Sequence, residues 1–204
     1  MIFGSPDREK IQLNEDSIWS GAFRDRNNPA AQAALPAIRR LLGEGRVREA
    51  EELCLECFSG VPPAQRVYQT AGELQISFFP EGGGPLLQDI RNYRRKLDLA
   101  QALHTLSFEH NGTVYTRECF ISAVADLLVL RFSAADVSGN PVSGKLTFRA
   151  GLDRGVFYDR KGNMEDTAFI TRDEDIPFCA MIKVVQRGGT QRSQGGFITV
   201  EKAD

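Results

Sequence analysis

The chain has 204 residues, of which 42% are hydrophobic and 25% charged, and its 25 basic and 27 acidic side chains give a formal net charge of -2. This length suits one well-buried domain or at most two small ones. The balanced charge and the short apolar runs exclude a basic nucleic-acid binder and an integral membrane protein, so we expect no nucleic-acid or membrane partner.

The first predicted elements are two short helices. Residues 27–29 (Asn-Asn-Pro) favour a helix start, because an amide caps a first turn and proline tolerates the first helical position. Glycines at 43 and 45 end this helix, and a second follows over about residues 46–58, ending at Ser59-Gly60. The short connection predicts an αα-hairpin. The predicted buried face of the first helix consists of Ala31, Leu35, Ile38 and Leu42.

The second helix contains a Cys-x-x-Cys pair, Cys54 and Cys57, which could indicate a redox centre or half of a zinc site. Both cysteines share a helical stripe with Val47, Ala50 and Phe58, and this favours core packing. Cys119 and Cys179 stand alone. We therefore expect no metal and no cofactor, and four cysteines are compatible with a reducing compartment. The opening residues lack a secretory signal pattern, and the sequence leaves the compartment open.

From residue 73 onward the apolar period changes to two, which predicts half-buried antiparallel strands. The strongest local signal is Asn111-Gly112, the pair preferred in a type I′ hairpin turn. Pairing His110 with Thr113 sets Phe108 opposite Tyr115. The same register sets Leu106 opposite Arg117 and His104 opposite Cys119 on one mainly apolar face. The other alternating apolar sets are Leu74, Ile76 and Phe78; Leu128, Leu130 and Phe132; Leu146 and Phe148; and Ala180, Ile182 and Val184.

Several such strands predict a mainly β fold, an antiparallel β-sandwich with the αα-hairpin inserted near the amino terminus. Candidate chemistry is sparse in this fold. The two histidines, His104 and His110, lie in or beside the hairpin, and no nucleophile motif surrounds any serine or cysteine. Glycines at 82–84 and 188–189 indicate turns, since no phosphate-binding motif follows them. We assign no catalytic residue.

Residues 11–29 differ in composition from the rest of the chain, because they combine the only tryptophan with several carboxylates, arginines and amides. Sugar-binding sites use this mixture: polar groups bond hydroxyls, while an aromatic ring covers the apolar face of a pyranose. Asn14, Glu15, Trp19 and Arg24 are therefore candidates for contact with substrate or with another domain. The alternative is a strand edge and a capped loop, with Trp19 as a core anchor.

Five segments resemble the amino-terminal domain of glycoside hydrolase family 95. They are residues 12–21 (Gln-Leu-Asn-Glu-Asp-Ser-Ile-Trp-Ser-Gly), 24–29 (Arg-Asp-Arg-Asn-Asn-Pro), 49–53 (Glu-Ala-Glu-Glu-Leu), 93–99 (Tyr-Arg-Arg-Lys-Leu-Asp-Leu) and 114–120 (Val-Tyr-Thr-Arg-Glu-Cys-Phe). The resemblance covers nearly the whole chain. It implies a β-super-sandwich that precedes an (α/α)₆ catalytic barrel. Members are chiefly inverting α-L-fucosidases acting on terminal α-1,2-linked fucose, and some act on L-galactose.

This chain departs from that family pattern at both ends. A Pro-Leu-Gly-Asn-Gly-like segment is absent ahead of the residues matching 1–4, and the barrel with its general acid is missing. We expect residues 1–204 to be a single amino-terminal domain, truncated at both ends, with a helical insertion over about residues 28–59. Its implied partners are its own catalytic barrel and a fucosylated oligosaccharide, and we expect the fragment to be inactive alone. The rival hypotheses are a free-standing carbohydrate-binding module and a non-catalytic interaction domain.

Overall fold

The computed structural model describes residues 1–19, 24–79, 88–153, 163–164, 167–172 and 178–204. Its contacts divide the chain into two units. The sandwich unit comprises Met1–Asp16, Thr70–Arg172 and Pro177–Asp204, and the helical unit comprises Ser17–Gln69 with Asp173–Ile176.

The sandwich unit contains three sheets whose described strand pairs are all antiparallel. The first has the order β1-β2-β7-β12-β11, the second β3-β4-β5-β6 and the third β10-β9-β8. The strands are β1 (Arg8–Leu13), β2 (Gly72–Phe78), β3 (Arg91–Asp98), β4 (Leu103–His110), β5 (Thr113–Ser122), β6 (Leu127–Asp136), β7 (Leu146–Asp153), β8 (Asn163–Met164), β9 (Thr167–Arg172), β10 (Phe178–Lys183), β11 (Thr190–Gln194) and β12 (Phe197–Ala203).

One hydrophobic core joins the first two sheets, which confirms the predicted sandwich. Residues of β2, β7 and β12 in the first sheet share one buried cluster with residues of β4, β5 and β6 in the second. Three aromatic rings connect the sheets: Phe132 of β6 lies 5.2 Å from Phe78 and 5.3 Å from Phe148, measured between ring centroids. Edge-to-face pairs of this kind stabilise by about 0.5–1.5 kcal/mol each beyond the area they bury. The alternating sets predicted on β2 and β7 point into this core, where Leu74, Ile76, Phe78, Leu146 and Phe148 are buried.

The predicted Asn-Gly hairpin is confirmed in its turn and in its register. Asn111 and Gly112 have φ angles of 49° and 73°, the two positive values that a type I′ turn requires. His110 pairs with Thr113, and the register continues through Phe108 with Tyr115. The sequence therefore determines this part of the second sheet locally.

The helical unit contains the predicted αα-hairpin, with α1 (Ala31–Gly43) followed by α2 (Val47–Cys57). The buried contact is made by Ile38, Leu41 and Ala50. The prediction that Leu42 belongs to the buried face is wrong, since this side chain is 52% exposed. The helix buries Leu41 instead, which clusters with Ile38, buried as predicted, and with Ala50 of α2. Neither described helix is long and apolar enough to cross a bilayer.

The stripe predicted on α2 is only partly buried. Ala50 is 1% exposed, but Val47 and Phe58 are 51% and 45% exposed. Cys54 packs against the helical cluster and Cys57 is half-buried, and both are free thiols. A short two-helix unit has one narrow contact line, so the outer positions of a predicted stripe remain in solvent. Gly188 and Gly189 have positive φ and lie in a turn as predicted, whereas glycines 82–84 lie outside the described residues.

Candidate functional site

The four site residues predicted from the sequence fall in both units. Asn14 and Glu15 follow β1 directly and are exposed in the sandwich unit. Trp19 and Arg24 belong to the helical unit, where Arg24 is exposed and Trp19 is half-buried. The Trp19 ring meets the ring of Tyr68 edge-on at 5.5 Å, and these two residues also form an isolated antiparallel bridge. Residues 20–23 of this polar segment lie outside the described residues.

Two polar residues next to this segment, Arg26 and Asn28, form hydrogen bonds with other parts of the helical unit. The Arg26 guanidinium donates from Nε to the Pro62 carbonyl at 3.1 Å and from Nη2 to the Pro63 carbonyl at 2.9 Å. The Asn28 side chain donates to the carbonyls of Glu56 and Ser59 and accepts from the amide of Ala30. Asn28 therefore stabilises the turn before α1 and satisfies carbonyls at the end of α2. The predicted amide cap and the proline at the first helical position are wrong, because α1 begins at Ala31 and its N-cap, Ala30, makes no side-chain capping hydrogen bond.

A buried ion pair is the most unusual polar feature of the sandwich unit. Arg117 of β5 and Glu9 of β1 are 5% and 2% exposed, and Arg117 Nη1 lies 3.9 Å from Glu9 Oε2. The guanidinium also donates from Nη1 to the Ser5 carbonyl at 2.7 Å and from Nη2 to the Pro6 carbonyl. Its carbon atom lies 3.6 Å from the centroid of the Phe78 ring. These contacts attach the amino-terminal segment to the second sheet.

Burial dominates the electrostatics of this pair. It raises the pKa of the Glu9 carboxyl above its ordinary value, against the opposing effects of Arg117 and of the backbone amides of Lys10 and Gly4. Glu9 Oε1 has no hydrogen-bond partner among the described residues. Burial also lowers the pKa of Arg117 to about 10, so the guanidinium remains charged at neutral pH.

Gly4 is required where the amino-terminal segment crosses the pair. A Cβ atom at this position would lie 2.6 Å from Leu106 Cδ1 and 3.0 Å from Glu9 Oε2. The Tyr93 hydroxyl donates to the Gly4 carbonyl at 3.0 Å. The sequence analysis did not identify this cluster, although the hairpin register placed Arg117 on an otherwise apolar face. An arginine at such a position is a signal for a buried partner.

The described residues of the sandwich unit line a small cavity and a much larger one. The small one, of about 20 Å³, lies beside Phe78, Phe108 and Arg117 and has room for about one water molecule. The second, which we name the open cleft, has a volume of about 1170 Å³. Its lining is mainly apolar and includes Leu74, Leu130 and Ile182. Charged residues also line it, among them Arg131, Lys183 and Arg187.

Among the described residues, no group of three or more histidine, cysteine, aspartate or glutamate side chains is arranged to hold a metal ion. His104 is half-buried in β4, and its pKa is lowered by burial and by the charge of Arg95.

Comparisons with known proteins identify the relationship that the motifs suggest. A family model described as "Glycosyl hydrolase family 65, N-terminal domain" matches residues 1–204. Alpha-L-fucosidase 2 of Arabidopsis thaliana is 27% identical over 230 residues, which cover 100% of this chain and 26% of that protein. Probable alpha-fucosidase A of Aspergillus niger is 31% identical over 141 residues, covering 66% of this chain and 16% of that protein.

These matches confirm the resemblance to the amino-terminal domain of glycoside hydrolase family 95. This chain spans about a quarter of the length of its Arabidopsis relative and a smaller share of the Aspergillus one. The described strands agree with a β-rich amino-terminal domain. The chain therefore belongs to the family described as Glycosyl hydrolase family 65, N-terminal domain.

Proposed function

We propose that this chain is the amino-terminal sandwich domain of a longer, α-L-fucosidase-like glycosidase, and that it packs on a separate catalytic barrel. The observation that carries the proposal is that the family model matches all 204 residues of this chain. In addition, two relatives named as fucosidases are several times longer than this chain. The reaction would be inverting hydrolysis of terminal α-1,2-linked L-fucose from glycans. Its partners are thus a fucosylated oligosaccharide and the catalytic barrel.

The electrostatics of the described residues support a non-catalytic role for this chain alone. An inverting glycosidase needs a general acid with a raised pKa and a second carboxylate about 6.5–9.5 Å away, with room for water between them. Glu9 has a raised pKa, but it is 2% exposed and lies beside Arg117. A carboxyl enclosed in this way cannot reach a glycosidic oxygen. We therefore place the acid and the base in the barrel.

Asn14, Glu15, Trp19 and Arg24 are the residues that we propose to approach the barrel or the sugar. Exposure of Asn14, Glu15 and Arg24 supports this role, as does the half-buried ring of Trp19, which can cover an apolar sugar face. The test is replacement of the residues matching Glu15 and Trp19 in the full-length Arabidopsis relative. We expect a lower kcat/KM or a weaker contact between domains, whereas unchanged kinetics and stability would contradict the assignment.

The rival carbohydrate-binding function is tested on the isolated chain. Titration calorimetry with a fucosylated oligosaccharide should give no heat of binding if the sugar site lies mainly in the barrel. Saturable binding that is lost on replacement of Trp19 would instead favour a carbohydrate-binding module. A non-catalytic interaction domain would be supported if the matching domain could be removed from the relative without loss of turnover.

A further inference from the structure

The open cleft of the sandwich unit is bordered by strand edges as well as by a sheet face. Its floor is a face, since β7 contributes the alternate residues Leu146, Phe148 and Ala150. By contrast, every residue of β6 from 130 to 135 lines the cleft. Every residue from 180 to 187, in β10 and the segment after it, lines the cleft as well. Successive side chains of a strand point to opposite faces. A strand that lines a cleft with consecutive residues therefore presents its edge.

The first part of the β6 edge carries backbone groups that have no backbone partner among the described residues. In the second sheet β6 pairs with β5, and no strand lies on its other side in the described part of the chain. Val142 donates its amide to the Ala134 carbonyl, so that carbonyl points away from β5. Alternate residues of an antiparallel strand direct both backbone groups to the same side. Leu128, Leu130 and Phe132 therefore direct their N–H and C=O groups outward, where no backbone partner is found among the described residues.

The two edges of this second sheet differ in chemistry. The opposite edge strand, β3, has four exposed basic residues, Arg91, Arg94, Arg95 and Lys96. Charged side chains on an edge strand prevent pairing with another chain. The edge of β6 has no such protection in its first four residues, which are Leu-Leu-Val-Leu, and Leu127 is 59% exposed. Of these two edges, the β6 edge has the more apolar side chains and the weaker protection against pairing.

We propose that the open cleft accepts an extended segment of the same longer polypeptide, from outside these 204 residues. The segment pairs with the outward backbone groups of β6 and sets alternate apolar side chains on the cleft floor. Length supports this source, because the curated relatives extend well beyond the region matched here. Residues 127–133 of β6 offer a pairing edge of about 23 Å, because the Ala134 carbonyl and the Asp136 amide already bond to Val142 and Asn140. The inference rests on the proposed function only for the existence of that longer polypeptide.

Hydrogen exchange tests the open edge on the purified chain. In the monomer, the outward amides of Leu128, Leu130 and Phe132 should exchange much faster than those of Val129 and Arg131, which face β5. Slow exchange at all five positions in a monomer would overturn the proposal. Slow exchange that appears only with a concentration-dependent dimer would overturn it too, because the occupant would then be a second copy.

Peptides displayed from the Arabidopsis relative test the occupant. The probes are overlapping peptides of ten residues, the length of β6, covering the part of that relative outside the match, each with a scrambled control. We expect enrichment of peptides with alternating apolar residues over their scrambles, and slower exchange of the outward amides when they bind. Lack of enrichment over the scrambles, or enrichment of peptides with helical spacing, would overturn the proposal.

A matched pair of variants locates the binding. Leu127→Lys places a charge at the cleft rim, and Leu97→Lys makes the same change on β3, where the leucine is similarly exposed at 61% against 59%. Leu127→Lys should weaken peptide binding by about tenfold or more, and Leu97→Lys should leave it unchanged. Equal effects of the two variants would contradict binding at the β6 edge. This result is independent of fucosidase activity, so its failure is distinguishable from failure of the proposed function.

Discussion

The Arg117–Glu9 pair gives the sharpest prediction about stability. Replacing Arg117 by alanine removes the ion pair at 3.9 Å, the hydrogen bonds to the carbonyls of Ser5 and Pro6, and the contact with the Phe78 ring. The Glu9 carboxyl then remains 2% exposed without its opposite charge. Loss of one partner from a buried pair costs about 3–5 kcal/mol. A domain stable by about 5–15 kcal/mol would lose about a fifth or more of its unfolding free energy.

Arg149 is the matched control. Its guanidinium lies 3.8 Å from the centroid of the Phe197 ring, but the residue is exposed. Arg149→Ala should therefore cost only about 0.5–1 kcal/mol, the usual range for an exposed cation–π contact. Both variants are compared with the parent by urea unfolding, followed by far-ultraviolet circular dichroism. The reasoning is refuted if Arg117→Ala is no more destabilising than Arg149→Ala.

A double variant separates the loss of the pair from the loss of packing. Replacing Arg117 by methionine and Glu9 by glutamine removes both charges while keeping most of the side-chain volume. Because a buried ion pair has a large desolvation penalty, this variant should be markedly more stable than Arg117→Ala. Equal destabilisation of the two would mean that the charge of Glu9 contributes nothing to the effect. This variant also keeps the test usable if Arg117→Ala does not fold.

Three further predictions concern single residues. Folding raises the pKa of Glu9 from 4.5, so the contribution of this group to the unfolding free energy falls as the pH rises from 4.5 through the raised pKa. Glu9→Gln should not show this fall in denaturant titrations at several pH values. Parallel pH profiles of the variant and the parent would contradict the prediction. Asn28→Ala should destabilise the helical unit by about 1–2 kcal/mol, measured by amide exchange in α1 and α2, because it removes the hydrogen bonds to Glu56, Ser59 and Ala30. An equal effect of Asn27→Ala would contradict this role of Asn28. Gly112→Ala should lower the unfolding free energy measured in urea by about 1–2 kcal/mol. The positive φ angle is the only cause, since nothing lies within 4 Å of the added Cβ atom. An unchanged urea midpoint would be inconsistent with the type I′ turn.

The sequence predicts the elements whose signals are local. Asn111-Gly112 determines both the turn and the register of β4 with β5, because the required positive φ values leave few alternatives. The alternation of apolar and polar residues in β2 and β7 can also be recognised in the sequence, because each strand has one face in the core. The presence of the two helices follows from the helical spacing of their apolar residues. The buried side of α1 depends on where α2 lies, and this explains the error at Leu42.

Two features of the sandwich unit were not predicted from the sequence. β3 is charged along most of its length and shows no apolar alternation, because as an exposed edge strand it buries almost nothing. The pairing of Arg117 with Glu9 joins residues more than a hundred positions apart, and no local pattern reports such a contact. The candidate residues Asn14, Glu15, Trp19 and Arg24 came from composition and resemblance, and their role stays a prediction.

The central claim, that this domain requires a separate barrel for its chemistry, is tested most directly by turnover. The purified 204-residue chain, shown to be folded by circular dichroism, is incubated with a trisaccharide carrying terminal α-1,2-linked L-fucose and with a chromogenic α-L-fucoside. We predict release of fucose at the rate of the protein-free control. Release above that rate which disappears when the chain is unfolded would contradict the account.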